Sequence, residues 1–271
     1  MKITTENLLT AEKLELIGNA SFDLVNAGDI TALSADLSTT PNGAADGLII
    51  TNARAFPRTI PFILRIKNGQ NVQDVIDSVF SVVRLKSDVR ITLEGFYKNP
   101  FSEVYNDGII TEINKPRFSE NSPALSIAFS VYFPDPFWRK NIEETTSNPT
   151  EANPYTLTNS GQVETGAEIT ITATSNAVSI PTVYLASGGN TQTMSFSVPE
   201  ISLSMDSGDT FVIKTFRGEK SAILTVGGTK TDATPYLDFS ADWITIPRGN
   251  SSFYLSASNF SVDIKFEAKY I

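Results

Sequence analysis

Apolar and polar residues alternate strictly in several stretches of this sequence. In Leu125–Phe133 every second residue is large and apolar, and in Phe260–Tyr270 apolar residues alternate with serine and charged residues. A period of two places the two sets of side chains on opposite faces of a β-strand. Further short stretches of this kind, separated by turns rich in glycine and asparagine, predict a mainly β protein.

One stretch, Asn71–Val83, has the periodicity of a helix instead. The residues of its apolar face are Val72, Val75, Ile76, Val79 and Val83. They follow the 3.6-residue period of a helix, and Asn71 is a suitable N-cap. Because β-branched residues have low helix propensity, packing against a sheet or barrel must hold this helix.

Other segments of the first half give simpler predictions. Thr59–Ile66 is apolar and β-branched, so we expect a strand buried on both faces. Ser34–Asp46 and Tyr97–Asp107 carry turn residues at their ends or throughout, and we expect loops there. Met1–Leu16 is consistent with either a frayed arm or an edge strand.

A change of pattern near residue 140 predicts two domains. Pro134 and Pro136 end the strand before them, because proline supplies no N–H to a ladder. Phe137 and Trp138 follow directly, and we expect them to plug the seam between the domains. The predicted organisation is a β-barrel domain with a packed helix over 1–141, a polar linker over 142–153, and an all-β sandwich or jelly roll over 154–271.

Composition excludes several classes of chemistry. The 271 residues include no cysteine and no histidine, so disulfides, thiol nucleophiles, histidine-liganded zinc and Ser-His-Asp triads are excluded. The net charge of −9 disfavours nucleic acid as a partner. No segment resembles a signal peptide or a membrane span, so we expect synthesis in a cytoplasm without secretion, and neither a membrane partner nor a cofactor.

Carboxylates and exposed aromatics are the remaining candidates for chemistry. The acidic pairs close in sequence are Glu164 and Glu168, Asp206 and Asp209, and Asp238 and Asp242. They lie in turns or on polar strand faces, where solvated surface charge explains them, although the Asp206 turn could also contribute Ca²⁺ ligands. Tyr236, Trp243 and Tyr254 could stack on sugars, or could pack against the core or an edge of the sandwich.

The order of these features resembles the distal tail protein family of long-tailed bacteriophages. The matching features are the strand Arg58–Ile63, the helix Asn71–Val83, the run Phe129–Trp138 with its Asp-Pro-aromatic-aromatic ending, and the Pro247-Arg248-Gly249-Asn250 segment before the last strands. The resemblance covers about residues 45–271. It implies a RIFT-like barrel domain followed by a galectin-like sandwich, and no catalysis.

The resemblance also implies a location and partners. The protein would be a non-enzymatic part of a phage or prophage tail tip, where copies form a hexameric ring that joins the tail tube protein to the hub, or tail-associated, protein. A receptor-binding protein or a cell-surface glycan is a further candidate partner through the second domain. The alternatives from other classes are a carbohydrate-binding protein or adhesin and, behind it, a glycoside hydrolase that uses carboxylates.

A closed ring needs apolar anchors on the surface of each copy. Phe56, Phe101 and Tyr105 lie in predicted loops, where a monomer would gain little from them. Our hypothesis is that these three side chains contact neighbouring subunits.

Overall fold

The computed structural model describes residues 2–30, 32–41, 48–95, 103–114, 125–196, 204–238 and 241–270. The chain divides into two compact units, Met1–Lys140 and Asn141–Tyr270. The protein is mainly β, and its strands pair antiparallel throughout the ladders of both units. No helix in the described residues has the length and apolar character needed to cross a membrane.

The first unit contains strands on both sides of one helix. They are β1 (Lys2–Asn7), β2 (Lys13–Glu15), β3 (Phe22–Asn26), β4 (Ala35–Pro41), β5 (Leu48–Ala55), β6 (Arg58–Ile66), α1 (Val72–Val82), β7 (Asp88–Glu94), β8 (Glu103–Asn114), β9 (Ser126–Phe133) and the start of β10 (Trp138–Ser147). The main sheet has the order β3-β6-β9-β8-β7-β1-β2, and β4 pairs with β5. This pairing does not close among the described residues, so the predicted barrel stays a prediction.

The predicted helix forms and is held by packing. It begins after Asn71, whose side chain accepts a hydrogen bond from the backbone N–H of Gln73 at 3.1 Å. Its buried residues are Val75, Val79 and Val82, of which the first two belong to the predicted apolar face, while Val72 and Ile76 of that face are partly buried. The apolar stripe of the helix therefore offsets its low intrinsic propensity.

Three predictions about this unit are wrong. Strand β6 is buried on one face only, because Ile60, Phe62, Leu64 and Ile66 point inward and alternate with more exposed residues. The predicted loop Ser34–Asp46 contains β4, which pairs with β5. The predicted loop Tyr97–Asp107 contains the start of β8, so Tyr105 lies in a strand.

Gly108 explains why the turn signal at Asn106-Asp107-Gly108 misled. A Cβ added to Gly108 would lie 2.6 Å from the carbonyl oxygen of Tyr132 and 2.7 Å from Cγ1 of Val131. The glycine therefore permits close approach of β8 to β9 and does not form a turn. Asn106, which is buried, donates from its amide to the backbone oxygen of Asp135 at 2.8 Å and so ties β8 to the double-proline segment.

The second unit contains two larger antiparallel sheets around one core. Its strands are β11 (Tyr155–Asn159), β12 (Ala167–Ala173), β13 (Val178–Ser179), β14 (Val183–Ser187), β15 (Asn190–Met194), β16 (Ser204–Met205), β17 (Thr210–Lys214), β18 (Ser221–Val226), β19 (Thr229–Asp232), β20 (Gly249–Leu255) and β21 (Phe260–Tyr270), with a short 3-10 helix at Thr234–Tyr236. The orders are β19-β18-β17-β12-β21 and β11-β20-β14-β15. Buried residues from both sheets form one hydrophobic cluster, and the predicted galectin-like arrangement stays a prediction.

The alternation predicted for β21 is confirmed, and the predicted linker over 142–153 begins with a strand. Every second residue of β21 from Phe260 to Ala268 is buried. Strand β10 continues as far as Ser147, and Thr145 donates from its hydroxyl to Asp263 of β21 at 2.7 Å. Exposed and partly buried residues alternate over 142–147, and neighbouring strands supply the backbone partners that make this segment a strand.

Candidate interaction surfaces

Tyr105 lies at the centre of a cluster of charged and aromatic groups. The guanidinium carbons of Arg90 and Arg139 lie 4.2 Å and 5.2 Å from the centre of its ring. Asp107 accepts from Nε and Nη2 of Arg90 at 2.7 Å and 3.0 Å, and from Nη2 of Arg139 at 2.9 Å. The hydrogen bond that Arg90 donates to Asp107 raises the pKa of Arg90 above its ordinary value. Two cations therefore share one carboxylate and one ring within the first unit.

Trp138 is fully buried in the first unit. Its indole Nε1–H donates to the backbone oxygen of Ile30 at 2.8 Å, and Nη1 of Arg58 donates to the same oxygen at 2.8 Å. The Arg58 guanidinium also lies 4.9 Å from the Trp138 ring, and Phe133 packs at 5.9 Å. Phe137 is half-buried, and its backbone N–H donates to Asp135 at 3.1 Å. A role for either aromatic as an interdomain plug stays a prediction.

A turn between β1 and β2 presents leucine to solvent. Leu9 is 91% exposed and Leu8 is 42% exposed. Asn7, which is buried, fixes this turn: its amide donates to the backbone oxygen of Val82 at 3.0 Å, and its Oδ1 accepts from the N–H groups of Leu9 and Thr10 at 3.0 Å and 3.2 Å. The leucines are therefore held in place by hydrogen bonds that reach the end of α1.

These leucines border an apolar groove, which we call the Leu8–Leu9 patch. The groove has a volume of about 350 Å³ and is lined by Leu8, Leu9, Asp88, Asp107, Gly108, Ile109 and Pro134. Ile109 is 38% exposed, and the Leu8 N–H donates to the backbone oxygen of Asp88 at 3.0 Å. Exposed apolar groups on a fixed backbone are typical of contact surfaces. Sequence analysis missed this patch, although two adjacent leucines cannot both face the core from one strand.

The residues predicted to contact other subunits differ in their surroundings. Phe56 is 42% exposed just before β6, as the hypothesis requires. Tyr105 is half-buried beneath two arginines, and Phe101 lies outside the described residues. A subunit contact of any of the three stays a prediction.

The three candidates for sugar stacking differ in their surroundings. Tyr236 and Trp243 are partly buried and pack against the core of the second unit. Tyr254 lies on the outer face of β20, where it stacks on Tyr184 of β14. Sequence analysis missed Tyr184, although its position between the apolar Val183 and Leu185 indicates the opposite strand face.

Each acidic pair contains at least one carboxylate with a partner within the fold. Asp206 and Asp209 accept hydrogen bonds from the backbone N–H groups of Ala177 and Gly227 at 3.0 Å and 2.9 Å. Glu168 forms an ion pair with Lys214 at 3.0 Å, and Asp238 accepts from the Ser195 hydroxyl. In the part of the chain that the structure describes, no group of three acidic side chains is placed to hold a metal ion.

The described residues form two β-rich units, the first of which contains one α-helix, and this arrangement is similar to the Dit fold of phage tails. The chain is similar to the crystal structure of Dit (gp 19.1) from phage SPP1, described as a paradigm of the hub adsorption apparatus in phages that infect Gram-positive bacteria. The TM-score is 0.66 and the sequence identity is 12%, over 99% of each chain. At this identity the similarity is one of fold.

Two further similar structures are of the baseplate of phage P2 in its activated conformation. The structure with Ca has a TM-score of 0.47 at 12% identity, covering 99% of this chain and 98% of the other. The structure with Sr has a TM-score of 0.46 at 12% identity, covering 98% and 97%. No protein-family model and no curated protein matches the sequence.

Proposed function

We propose that this protein is a distal tail protein, a structural part of a phage or prophage tail tip or baseplate. Copies of it form a ring that joins the tail tube to the hub and the adhesion device. The family resemblance implies that this ring is hexameric. The observation that carries this proposal is the Dit fold, matched over 99% of both chains. In this assignment the first unit is the RIFT-like, ring-forming domain and the second is the galectin-like sandwich.

The chemistry of the described residues supports a role without catalysis. The sequence has no histidine, and in each acidic pair named above at least one carboxylate accepts a hydrogen bond or forms an ion pair within the fold. A carbohydrate-binding protein or adhesin is not favoured, since the fold match spans the whole chain and two of the three stacking candidates pack against a core.

The Leu8–Leu9 patch is the surface that we propose for contacts between copies in the ring. A ring requires a heterologous interface, in which one surface of each copy meets a different surface of the next. The backbone of the turn that presents Leu9 is already fixed by hydrogen bonds, so the contact need not order that backbone. Phe56 is exposed elsewhere in the first unit and is a candidate for the opposing surface.

The assembly test compares Leu9→Asp with the wild-type chain by light scattering and negative-stain imaging. We expect rings from the wild type and a mass shifted toward the monomer in the variant, because a buried, unpaired carboxylate would oppose the contact. Val226→Asp is the matched control, since Val226 is 37% exposed in the second unit and its replacement should leave the rings intact. A wild-type chain that remains monomeric, alone and with the products of adjacent tail genes, would contradict the proposal.

A further inference from the structure

Two tyrosines form a stacked pair on the outer face of the second unit. Tyr184 and Tyr254 are direct neighbours across β14 and β20, with ring centres 4.8 Å apart and planes inclined by 13°. Val183, Leu185, Phe253 and Leu255 alternate with them and are buried. The core is therefore filled from the other face, and the pair is not needed to complete it.

The pair borders a groove with negative character. The groove has a volume of about 780 Å³ and is lined by Thr150, Glu151, Ala152, Tyr184, Tyr254, Leu255 and Ser256. Glu151 is the one charged residue among these described lining residues. Burial, Glu151 and Tyr184 all raise the pKa of Tyr254, in that order of size. Because the faces of aromatic rings are also electron-rich, the groove disfavours anions and suits a cation.

The first unit contains a tyrosine ring and a carboxylate that together hold a guanidinium group. At Tyr105, a tyrosine face and the carboxylate of Asp107 hold the guanidinium of Arg90, at 4.2 Å from the ring and 2.7 Å from the carboxylate. The groove of the second unit offers the ring and the carboxylate. Among the described residues, the cations that lie over aromatic rings belong to Arg58, Arg90, Arg139 and Lys220, and none of them lies over Tyr184 or Tyr254.

We propose that the groove beside Tyr184 and Tyr254 binds an arginine side chain presented by a basic partner protein. The guanidinium would lie flat on a tyrosine face while Glu151 accepts its N–H groups, which is the arrangement seen at Tyr105. A different protein is favoured over a second copy of this chain, because the net charge of −9 has the same sign as the groove. This inference goes beyond the proposed ring, which rests on the first unit.

The test uses the full-length chain with ring-labelled tyrosine and follows peptide binding by NMR. The probes are a hexapeptide of alternating glycine and arginine, and the same peptide with citrulline, which keeps the shape of arginine and removes the charge. We expect the arginine peptide to shift the Tyr184 and Tyr254 signals and the citrulline peptide to bind at least about fivefold more weakly. Tyr254→Ala and Glu151→Gln should each weaken binding about five- to tenfold.

Two controls keep the outcome interpretable. Tyr254→Phe keeps an aromatic face and should bind the peptide normally, which separates loss of the ring from loss of the hydroxyl, and the signals of the other labelled tyrosines report whether Tyr254→Ala is folded. Tyr132→Ala removes an exposed tyrosine of the first unit and should leave binding unchanged. Equal binding of the citrulline peptide, no effect of Tyr254→Ala and Glu151→Gln, or shifts with a neutral oligosaccharide but not with the arginine peptide would each overturn the proposal. Ring formation is measured separately by light scattering, so rings without peptide binding would overturn this inference alone.

Discussion

Replacing Trp138 by phenylalanine tests whether the residue is a core element of the first unit. Trp138 is fully buried, and its Nε1–H donates to the Ile30 oxygen beside the Nη1 of Arg58. Phenylalanine keeps one aromatic ring but removes the donor and part of the packed volume. The Ile30 oxygen keeps the hydrogen bond from Arg58, so this substitution does not leave a buried acceptor empty.

The expected loss of stability is the sum of three contributions. The lost hydrogen bond costs about 1 kcal/mol. The space left by the smaller ring costs about 1 kcal/mol more, well below the 3–5 kcal/mol typical of complete removal of a large aromatic side chain. The Arg58 guanidinium, 4.9 Å from the indole, also loses its preferred cation–π partner, which is worth about 0.5–1 kcal/mol. We therefore expect Trp138→Phe to lower the free energy of unfolding by about 2.5–3 kcal/mol.

The assay is urea denaturation, with Trp243→Phe as the matched control. The chain has two tryptophans, one in each unit, so the fluorophore left in each variant reports the unsubstituted unit, and far-UV circular dichroism follows the unit that carries the substitution. Trp243 is half-buried against the second core, with Lys220 at 5.7 Å from its ring, and we expect its replacement to cost less than about 1 kcal/mol. Hydrogen exchange should show lost protection in β6 and β9 for Trp138→Phe. Equal stability of the two variants would refute the reasoning.

Two further predictions concern close packing and ionisation. Gly108→Ala should destabilise the first unit by about 1–3 kcal/mol in thermal or urea unfolding, because the new methyl group would lie 2.6 Å from the Tyr132 carbonyl oxygen. The control is Gly18→Ala, at a glycine with open space around it, which should cost about 1 kcal/mol. Equal costs of the two substitutions would contradict the close approach at Gly108. The Tyr155 hydroxyl donates a hydrogen bond to Glu144 at 2.6 Å, and this bond raises the pKa of the hydroxyl. The stabilising contribution of the bond is therefore complete below about pH 10 and is lost as pH rises through the raised pKa. Alkaline unfolding should therefore be less steep with pH in Tyr155→Phe, and an identical pH profile would count against the hydrogen bond.

The predicted elements formed in those segments where local periodicity and tertiary packing favour the same structure. The helix at Val72–Val82 and the alternation of β21 follow from spacing alone, because each element has one face that must be buried. At Asn106-Asp107-Gly108 residue types that favour turns occur within a strand. Gly108 is needed there because β9, which is distant in sequence, packs close to its backbone. Turn propensity is a local quantity and contains no information about that neighbour.

The sequence by itself determined that the protein is mainly β with one amphipathic helix, and it excluded chemistry that needs histidine or cysteine. These conclusions depend on periodicity and composition, which are properties of the chain alone. Only the tertiary structure decided that Asn7 holds the Leu8–Leu9 turn in place, and that Tyr184 meets Tyr254 across two strands 70 residues apart in sequence. Such surfaces depend on strand register and on contacts between distant residues, so no local pattern could have specified them.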